Sequence, residues 1–213
     1  MQVIGVDPAR EDVPRRAREL LLRGGLVAFP TDTYYALGTP AVDATAVARV
    51  FTAKQRPTTD ALPVLVADRA QWKSVVADLP DIALRLADRF WPGALTIVCR
   101  RAPHLPPALT GGGETIGVRQ PNLPFALGLC RAIGQPVTGT SANTHGMPAP
   151  VTALAVALDL RDGVDMILDG GRCPVARPST VIDVTRTPPA IVRAGAVQLD
   201  VLREVLGEVA ARA

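Results

Sequence analysis

Short apolar runs alternate with helical patterns along this 213-residue chain, and this alternation restricts its fold more than any other feature. Short runs that end at Pro, Gly or polar residues are typical of buried strands, and most are followed by a stretch with helical periodicity. Strands are predicted at 26–30, 62–66, 95–99, 115–119, 136–139, 166–168, 180–184 and 190–193. Interleaved strands and helices predict an α/β fold in which helices flank a mixed sheet.

Capping residues and stops mark the predicted helices. Asp12 with Pro14 in the first turn begins one helix, which Gly24 ends. Asp43 caps a second helix, and Pro57 stops it. Further helices are predicted at 68–76, 80–90, 123–133, 152–160 (capped by Thr152) and 198–211, with loops at 31–38, 103–113 and 141–150.

The composition is that of a folded globular protein, with 48% hydrophobic and 20% charged residues. The net charge of +3 permits an anionic substrate or RNA but demands neither. No basic tract is present, so the linear sequence contains no dedicated nucleic-acid-binding surface. Without a repeat or a linker, residues 1–213 are predicted to form one domain.

Cys99, Cys130 and Cys173 are odd in number, widely spaced and embedded in apolar runs. They predict buried reduced thiols rather than a disulfide framework or a zinc site. The first residues contain no apolar signal segment, and no apolar run is long enough to span a bilayer. We therefore expect a soluble, cytoplasmic protein.

Two cations, Lys54 and Arg56, fall at the end of the predicted second helix. Cations there can simply complement the helix dipole on a solvated face. They can also bind phosphate, because Arg offers a two-pronged donor and Lys a point charge. Position alone does not separate these two interpretations.

A second group of candidates lies at strand ends. The segment 30–33 ends a buried strand, where Thr33 either caps a turn or contacts a small polar substrate. Thr115 and Arg119 share one face of a strand, with Gly117 leaving room for a ligand between them. Arg119 needs an anionic partner, which is either a substrate carboxylate or an internal Asp.

The segment 138–143 directly follows a strand and contains small hydroxyl and amide side chains. It is either a side-chain-capped turn or a contact for a nucleotide phosphate or ribose. No Walker A or GxSxG motif occurs. His104 and His145 are the only histidines, so the sequence offers few residues for a Ser-His-Asp triad or a His metal site. Ser179 and Arg193, at later strand ends, have structural as well as ligand-binding interpretations.

Taken together, these segments resemble the YrdC/Sua5 family of threonylcarbamoyl-AMP synthases. The matching stretches occur in family order over about residues 24–195. They are PTDTYYALG at 30–38, KQRP at 54–57, LPVLV at 62–66, WPGALT at 91–96, TIGVR at 115–119, SAN at 141–143 and STVID at 179–183. The resemblance implies a single domain with a twisted mixed sheet, flanked by helices, around a basic cavity. It also implies synthesis of threonylcarbamoyl-AMP and pyrophosphate from L-threonine, bicarbonate and ATP.

The same resemblance implies roles for individual residues. Lys54 and Arg56 are expected at the ATP phosphates as catalytic residues, and Ser141 and Asn143 at the nucleotide and its metal, Mg²⁺, which is expected to be held mainly by the phosphates. Further ATP contacts are expected from Asp60, Thr115, Ala149 and Arg193. Contacts to L-threonine are expected from Thr33, Leu65, Arg119, Gly139 and Ser179, with Arg119 on the threonine carboxylate.

The expected product is passed to a downstream tRNA threonylcarbamoyl transferase complex that modifies adenosine 37 of tRNA. The chain departs from the family pattern at Tyr34, Ala36 and His145, which affects pocket shape more than chemistry. It resembles the short form of the family, without the extra C-terminal domain. The alternatives are an RNA-binding module in ribosome or tRNA maturation and a relative of the carbamoyl-adenylate-forming domain of hydrogenase maturation proteins.

Overall fold

Eleven strands form two mixed sheets within residues 1–207, the part of the chain that the computed structural model describes. The first sheet has the strand order β1-β9-β2-β3-β8. Its strands are β1 (Gln2–Gly5), β2 (Val27–Phe29), β3 (Ala36–Gly38), β8 (Thr140–Ser141) and β9 (Met166–Asp169). β9 runs parallel to β1 and β2, whereas β3 is antiparallel to both of its neighbours.

The second sheet has the strand order β11-β10-β5-β6-β4-β7. Its strands are β4 (Val64–Leu65), β5 (Leu95–Arg100), β6 (Thr115–Arg119), β7 (Val137–Thr138), β10 (Thr180–Asp183) and β11 (Ala190–Arg193). β10 pairs in parallel with β5, and β6 with β4, while the other pairs are antiparallel. The predicted α/β class with mixed strand pairing is thus confirmed, with the strands divided between two sheets.

The helices begin and end close to the predicted signals. They are α1 (Arg15–Leu22), α2 (Ala44–Lys54), α3 (Arg69–Lys73), α4 (Asp81–Phe90), α5 (Pro124–Ile133), α6 (Ala153–Leu160) and α7 (Leu199–Leu206). Asp43 caps α2 by accepting the N–H of Ala46 at 3.0 Å, and Thr152 caps α6 in the same way. The predicted terminal helix extended to 211, and its residues from 208 lie outside the described part of the chain.

Four local predictions were wrong. Ser141, the first residue of the predicted loop 141–150, belongs to β8. Asp12 does not cap α1, because Pro14 occupies the N-cap position. The segment 31–38 is not entirely a loop, since its last three residues form β3. The predicted loop at 103–113 contains a short 3₁₀ helix, Pro107–Thr110.

The two sheets meet where the chain passes directly from β7 to β8. These two-residue strands belong to different sheets, and only Gly139 separates them. Gly139 donates its N–H to the carbonyl of Pro63 at 2.8 Å, and Thr138 Oγ1 donates to the carbonyl of Leu37 at 3.0 Å. Backbone contacts from both sheets therefore converge on this single crossing.

All three cysteines are buried, as the sequence predicted, and each is unpaired in this structure. Burial raises the pKa of Cys99 and Cys130 to about 12 and that of Cys173 to about 11, because a thiolate would lose its hydration. They are therefore poor nucleophiles at neutral pH. No helix in the described residues is long and apolar enough to cross a bilayer.

Candidate active site

A cavity of about 460 Å³ lies between the two sheets and receives side chains from both. β3 and β8 of the first sheet line one wall, while β4, β5, β6, β10 and β11 of the second sheet line the other. The loops before β3, after α2 and before β10 close it. The predicted site residues that line it are Thr33, Arg56, Leu65, Thr115, Arg119, Gly139, Ser141, Ala149, Ser179 and Arg193.

β6 confirms the predicted alternation of its side chains. Thr115, Gly117 and Arg119 face the cavity, whereas Ile116 and Val118 are buried in the core on the opposite face. A Cβ at Gly117 would lie 3.1 Å from Cγ2 of Thr96 on the neighbouring strand. The missing side chain at Gly117 therefore keeps the middle of this wall open.

Arg119 finds its anionic partner inside the protein. Its guanidinium pairs with the carboxylate of Asp32, and both side chains are buried. Nη1 also donates to Thr33 Oγ1 at 2.7 Å, and Nε donates to the carbonyl of Gly93 at 2.9 Å. Burial lowers the pKa of Arg119, and the charge of Asp32 opposes that shift. The sequence left open whether Arg119 pairs with a substrate carboxylate or with an internal Asp, and in this structure it pairs with the internal Asp32.

The turn before β3 holds Thr33 in place. Thr31 Oγ1 lies 3.1 Å from Thr33 Oγ1 and accepts the backbone N–H of Thr33 at 3.2 Å. It also donates to the carbonyl of Tyr34 at 2.7 Å. The predicted turn is therefore present. It orients the Thr33 hydroxyl towards Arg119, so the capping and ligand-binding interpretations of Thr33 are compatible.

Gly139 and Leu65 form a tightly packed part of the cavity wall. A Cβ at Gly139 would lie 2.6 Å from Cγ of Leu65, closer than real Cβ contacts allow. Glycine is therefore required at this crossing for steric reasons, because the Leu65 side chain occupies the space that any larger residue would need.

Ser179, Thr96 and Arg193 are joined in one hydrogen-bond network. Arg193 Nη2 donates to Ser179 Oγ at 3.0 Å and to its carbonyl at 2.9 Å. Ser179 Oγ lies 2.8 Å from Thr96 Oγ1, which also lines the cavity. Burial lowers the pKa of Arg193, and the nearby charges of Arg119 and Arg56 lower it further. Three guanidiniums therefore line one cavity, although Arg119 is paired with the carboxylate of Asp32 and Arg56 lies near that of Asp60.

Arg56 reaches the cavity because the chain turns sharply after α2. Gln55 adopts a left-handed conformation with φ of 49° as the C-cap of the helix, and Arg56 follows it. Arg56 Nη2 donates to the carbonyl of Ala61 at 3.1 Å, and Nε lies 3.5 Å from Asp60 Oδ2. Asp60, predicted to contact ATP, does not line the cavity and instead faces Arg56 and His145.

Lys54, which is predicted to lie at the ATP phosphates, does not line the cavity either. Its side chain is 1% exposed, and Nζ lies 2.5 Å from the carbonyl oxygens of Ser141 and Asn143. Burial lowers the pKa of Lys54 to about 8, the charge of Arg56 lowers it further, and Asp159 opposes the shift. Of the two cations at 54–57, Lys54 therefore lies in the protein interior and Arg56 lines the cavity.

Asn143 is buried beside Lys54 and is also absent from the cavity wall. Its Nδ2 donates to the carbonyls of Thr144 and Met147 at 2.8 and 2.7 Å. Its Oδ1 is buried without a hydrogen-bond partner among the described residues. In this structure Asn143 therefore shapes the loop that carries Ser141 and Ala149, both of which do face the cavity.

Sequence reasoning did not assign several polar residues of this region to the site, among them Asp32 and Thr96. Asp32, the partner of Arg119, lies within the recognised segment 30–33, and its carboxylate was the available signal. Thr96 could have been found from strand alternation, because Thr96 and Val98 face the cavity while Ile97 is in the core. No group of three or more His, Cys, Asp or Glu in the described residues has a metal-binding arrangement.

Comparisons with a family model and with curated relatives point to the same family. A family model for Sua5, YciO and YrdC proteins, described as "Telomere recombination", matches residues 19–195. The chain is 40% identical to a threonylcarbamoyl-AMP synthase of Pyrococcus abyssi over 92% of its length, and 38% identical to one of Bacillus subtilis over 91%. It spans only 57% and 56% of the lengths of these two relatives.

Solved structures of the same group have a similar fold. P. abyssi Sua5 complexed with L-threonine matches 100% of this chain and 63% of its own, with a TM-score of 0.94 and 38% identity. Escherichia coli YciO matches 96% of this chain and 98% of its own, with a TM-score of 0.82 and 28% identity.

Proposed function

Because the chain belongs to the Sua5/YciO/YrdC family, we propose that it is an L-threonylcarbamoyladenylate synthase. The observation that carries this proposal is that one cavity combines two kinds of anion-binding group. Arg119 with Thr33 suits the carboxylate of an amino acid, and Arg56 with Arg193 suits a phosphate chain.

The proposed seat for L-threonine lies at Thr33, Leu65, Arg119, Gly139 and Ser179, and that for ATP at Arg56, Thr115, Ser141, Ala149 and Arg193. Arg119 uses its Nε hydrogen, one Nη1 hydrogen and one Nη2 hydrogen on protein acceptors. One hydrogen on each Nη therefore remains for a substrate carboxylate. Pairing with Asp32 would hold that fork in a fixed orientation before the substrate arrives.

The proposed chemistry requires no nucleophilic side chain. The amine of threonine adds to CO₂ derived from bicarbonate and loses a proton to give a carbamate. A carbamate oxygen then attacks the α-phosphorus of ATP as the bond to pyrophosphate breaks, giving threonylcarbamoyl-AMP. Arg56 and Arg193 would offset the charge that develops on the phosphoryl oxygens, and the cavity would hold the two anions side by side.

We propose that a Mg²⁺ ion arrives with ATP and is held mainly by its phosphates. Of the oxygen donors expected near the nucleotide, the Ser141 hydroxyl lines the cavity, whereas the Asp60 carboxylate and Asn143 Oδ1 do not; Asn143 Oδ1 has no hydrogen-bond partner among the described residues. Mg²⁺ commonly takes one or two protein carboxylates and fills its other positions with phosphates and water. When bound, the ion would neutralise phosphate charge in the transition state.

The product is a reactive mixed anhydride, so we propose that it passes to a tRNA threonylcarbamoyl transferase complex in the cytoplasm. Direct contact with tRNA during this transfer is part of the same proposal. The RNA-binding module considered as an alternative is not favoured, because the guanidiniums of Arg56, Arg119 and Arg193 face a cavity between the sheets.

The test is pyrophosphate release by the purified chain with ATP, Mg²⁺, bicarbonate and L-threonine. Release that requires threonine, and that falls when CO₂ is removed, is the expected result. L-serine and L-valine serve as matched controls, because each lacks one of the two groups on the threonine β-carbon. Folded protein that releases no pyrophosphate in response to threonine would overturn the proposal.

A further inference from the structure

Lys54 is a cation in the protein interior without a carboxylate partner. Its ammonium is bound by the carbonyl oxygens of Ser141 and Asn143, and it forms no ion pair with any Asp or Glu of the described residues. Burying a charge that only neutral groups solvate costs stability. A Met of similar length would fill this space without that cost, which points to a role for the charge itself.

The segment that Lys54 contacts is also held from two other directions. Asp159 Oδ2, on α6, accepts the N–H of Thr144 at 3.0 Å. The N–H of His145 donates to the backbone carbonyl of Lys54 at 2.7 Å. A cation therefore lies at the carbonyls of this segment and an anion at one of its amides, so both charges match the backbone dipoles that they contact.

The same segment carries part of the cavity wall. Ser141 lines the cavity, whereas Lys54 and Asp159 do not. We infer that Lys54 and Asp159 are positioning residues that hold segment 141–145 in the geometry needed to bind the nucleotide, and that Lys54 acts through this segment instead of on the phosphates. Arg56 then remains as the direct phosphate ligand of the motif. The inference deepens the proposed function and depends on it only for the identity of the ligand.

Amide hydrogen exchange without nucleotide separates positioning from direct binding. Lys54→Met removes the donor at nearly constant volume and should lower the protection of amides 141–145. Arg56→Met is the matched control, which should leave that protection unchanged while weakening ATP binding. Asp159→Ala removes the second contact from a half-buried position and keeps the test usable if Lys54→Met does not fold.

Kinetics supply a readout that a purely structural role would not move. Lys54→Met should raise KM for ATP about tenfold or more, since bonds to a charged group are lost. The kcat and the KM for threonine should stay within about twofold.

Unchanged protection in both Lys54→Met and Asp159→Ala would overturn the inference, and combined with lost ATP binding it would make Lys54 a direct phosphate ligand. The exchange measurement needs neither substrate nor turnover. Absence of threonine-dependent pyrophosphate release would overturn the proposed function. The positioning role of Lys54 and Asp159 would still be tested by hydrogen exchange.

Discussion

The guanidinium of Arg119 and the carboxylate of Asp32 form a buried ion pair, with side chains only 7% and 5% exposed. Arg119 is thus fixed by an internal anion, by Thr33 and by the carbonyl of Gly93. A guanidinium that is fixed in this way can meet a substrate carboxylate without first being ordered.

Asp32→Ala should strongly destabilise the protein, because it leaves the Arg119 guanidinium buried without its anion. Breaking a buried pair in this way costs about 3–5 kcal/mol. The free energy of unfolding from urea titration measures it. Asp88→Ala is the control, because the Asp88–Arg69 pair is exposed and should change stability by less than about 1 kcal/mol. Equal effects of the two variants would contradict the assignment.

Arg56→Ala should abolish turnover while the fold survives. Arg56 donates one hydrogen bond to Ala61 and lies near Asp60 at a partly exposed position, so its structural contribution is modest. Loss of a preorganised charge at the reacting phosphate is expected to lower kcat by at least about 10²-fold. Circular dichroism and threonine-dependent pyrophosphate release check both parts. Arg56→Lys keeps the positive charge but lacks the two-pronged donor, so its kcat should lie between those of the unmodified protein and Arg56→Ala. Unmodified turnover in Arg56→Ala would remove Arg56 from the site.

Lys54 should make the protein more stable at alkaline pH than at neutral pH. Its pKa is about 8 in the folded protein, against 10.5 for an unperturbed lysine, so between these values the unfolded chain binds the additional proton. Stability from this residue therefore rises from pH 8 towards 10.5 and is lost as the pH falls back to 8.

The measurement is urea unfolding of the unmodified protein and Lys54→Met at about pH 7 and about pH 9.5, on either side of the lowered pKa. The buried thiols and Tyr35, whose pKa values are raised by burial, act in the opposite direction in both proteins. Only the difference between the two proteins isolates Lys54. A difference that does not change between the two pH values would show that Lys54 is not buried as an ammonium ion.

Gly139→Ala should lower both stability and affinity for threonine, because its Cβ would lie 2.6 Å from Cγ of Leu65. Overpacking of this kind costs about 1–3 kcal/mol and would displace Leu65 within the cavity wall. Unfolding free energy and KM for threonine measure the two effects. Gly5→Ala is the control, because nothing lies within 4 Å of the added Cβ. Adding Leu65→Ala should relieve part of the loss.

Local rules predicted much of this molecule. Strand alternation assigned Thr115 and Arg119 to one face of β6, and capping chemistry assigned Asp43 and Thr152 to helix starts. In each case the decisive interaction is within a few residues along the chain. Local patterns singled out candidates such as Thr33, Arg56 and Arg119, and the family resemblance then assigned their roles and added further residues. Most of the predicted site residues line the cavity between the sheets.

What the sequence did not predict depends on contacts between distant segments. The direction of the Lys54 side chain is decided by the carbonyls of Ser141 and Asn143, far along the chain. A residue's type and its place on a helix do not say which of two neighbouring surfaces a long side chain will reach. The choice of Asp32 as the partner of Arg119, and the crossing from β7 to β8, have the same origin.

The single-residue crossing at Gly139 also restricts how the cavity can change shape. β7 and β8 belong to different sheets and are joined by one residue. The sheets therefore cannot separate at this edge without breaking the pairing of β7 with β4 or of β8 with β3. A rotation with its axis near Gly139 would widen the cavity and keep both pairings intact. In such a rotation the edge that carries Arg193, on β11 at the far end of the second sheet, would move furthest.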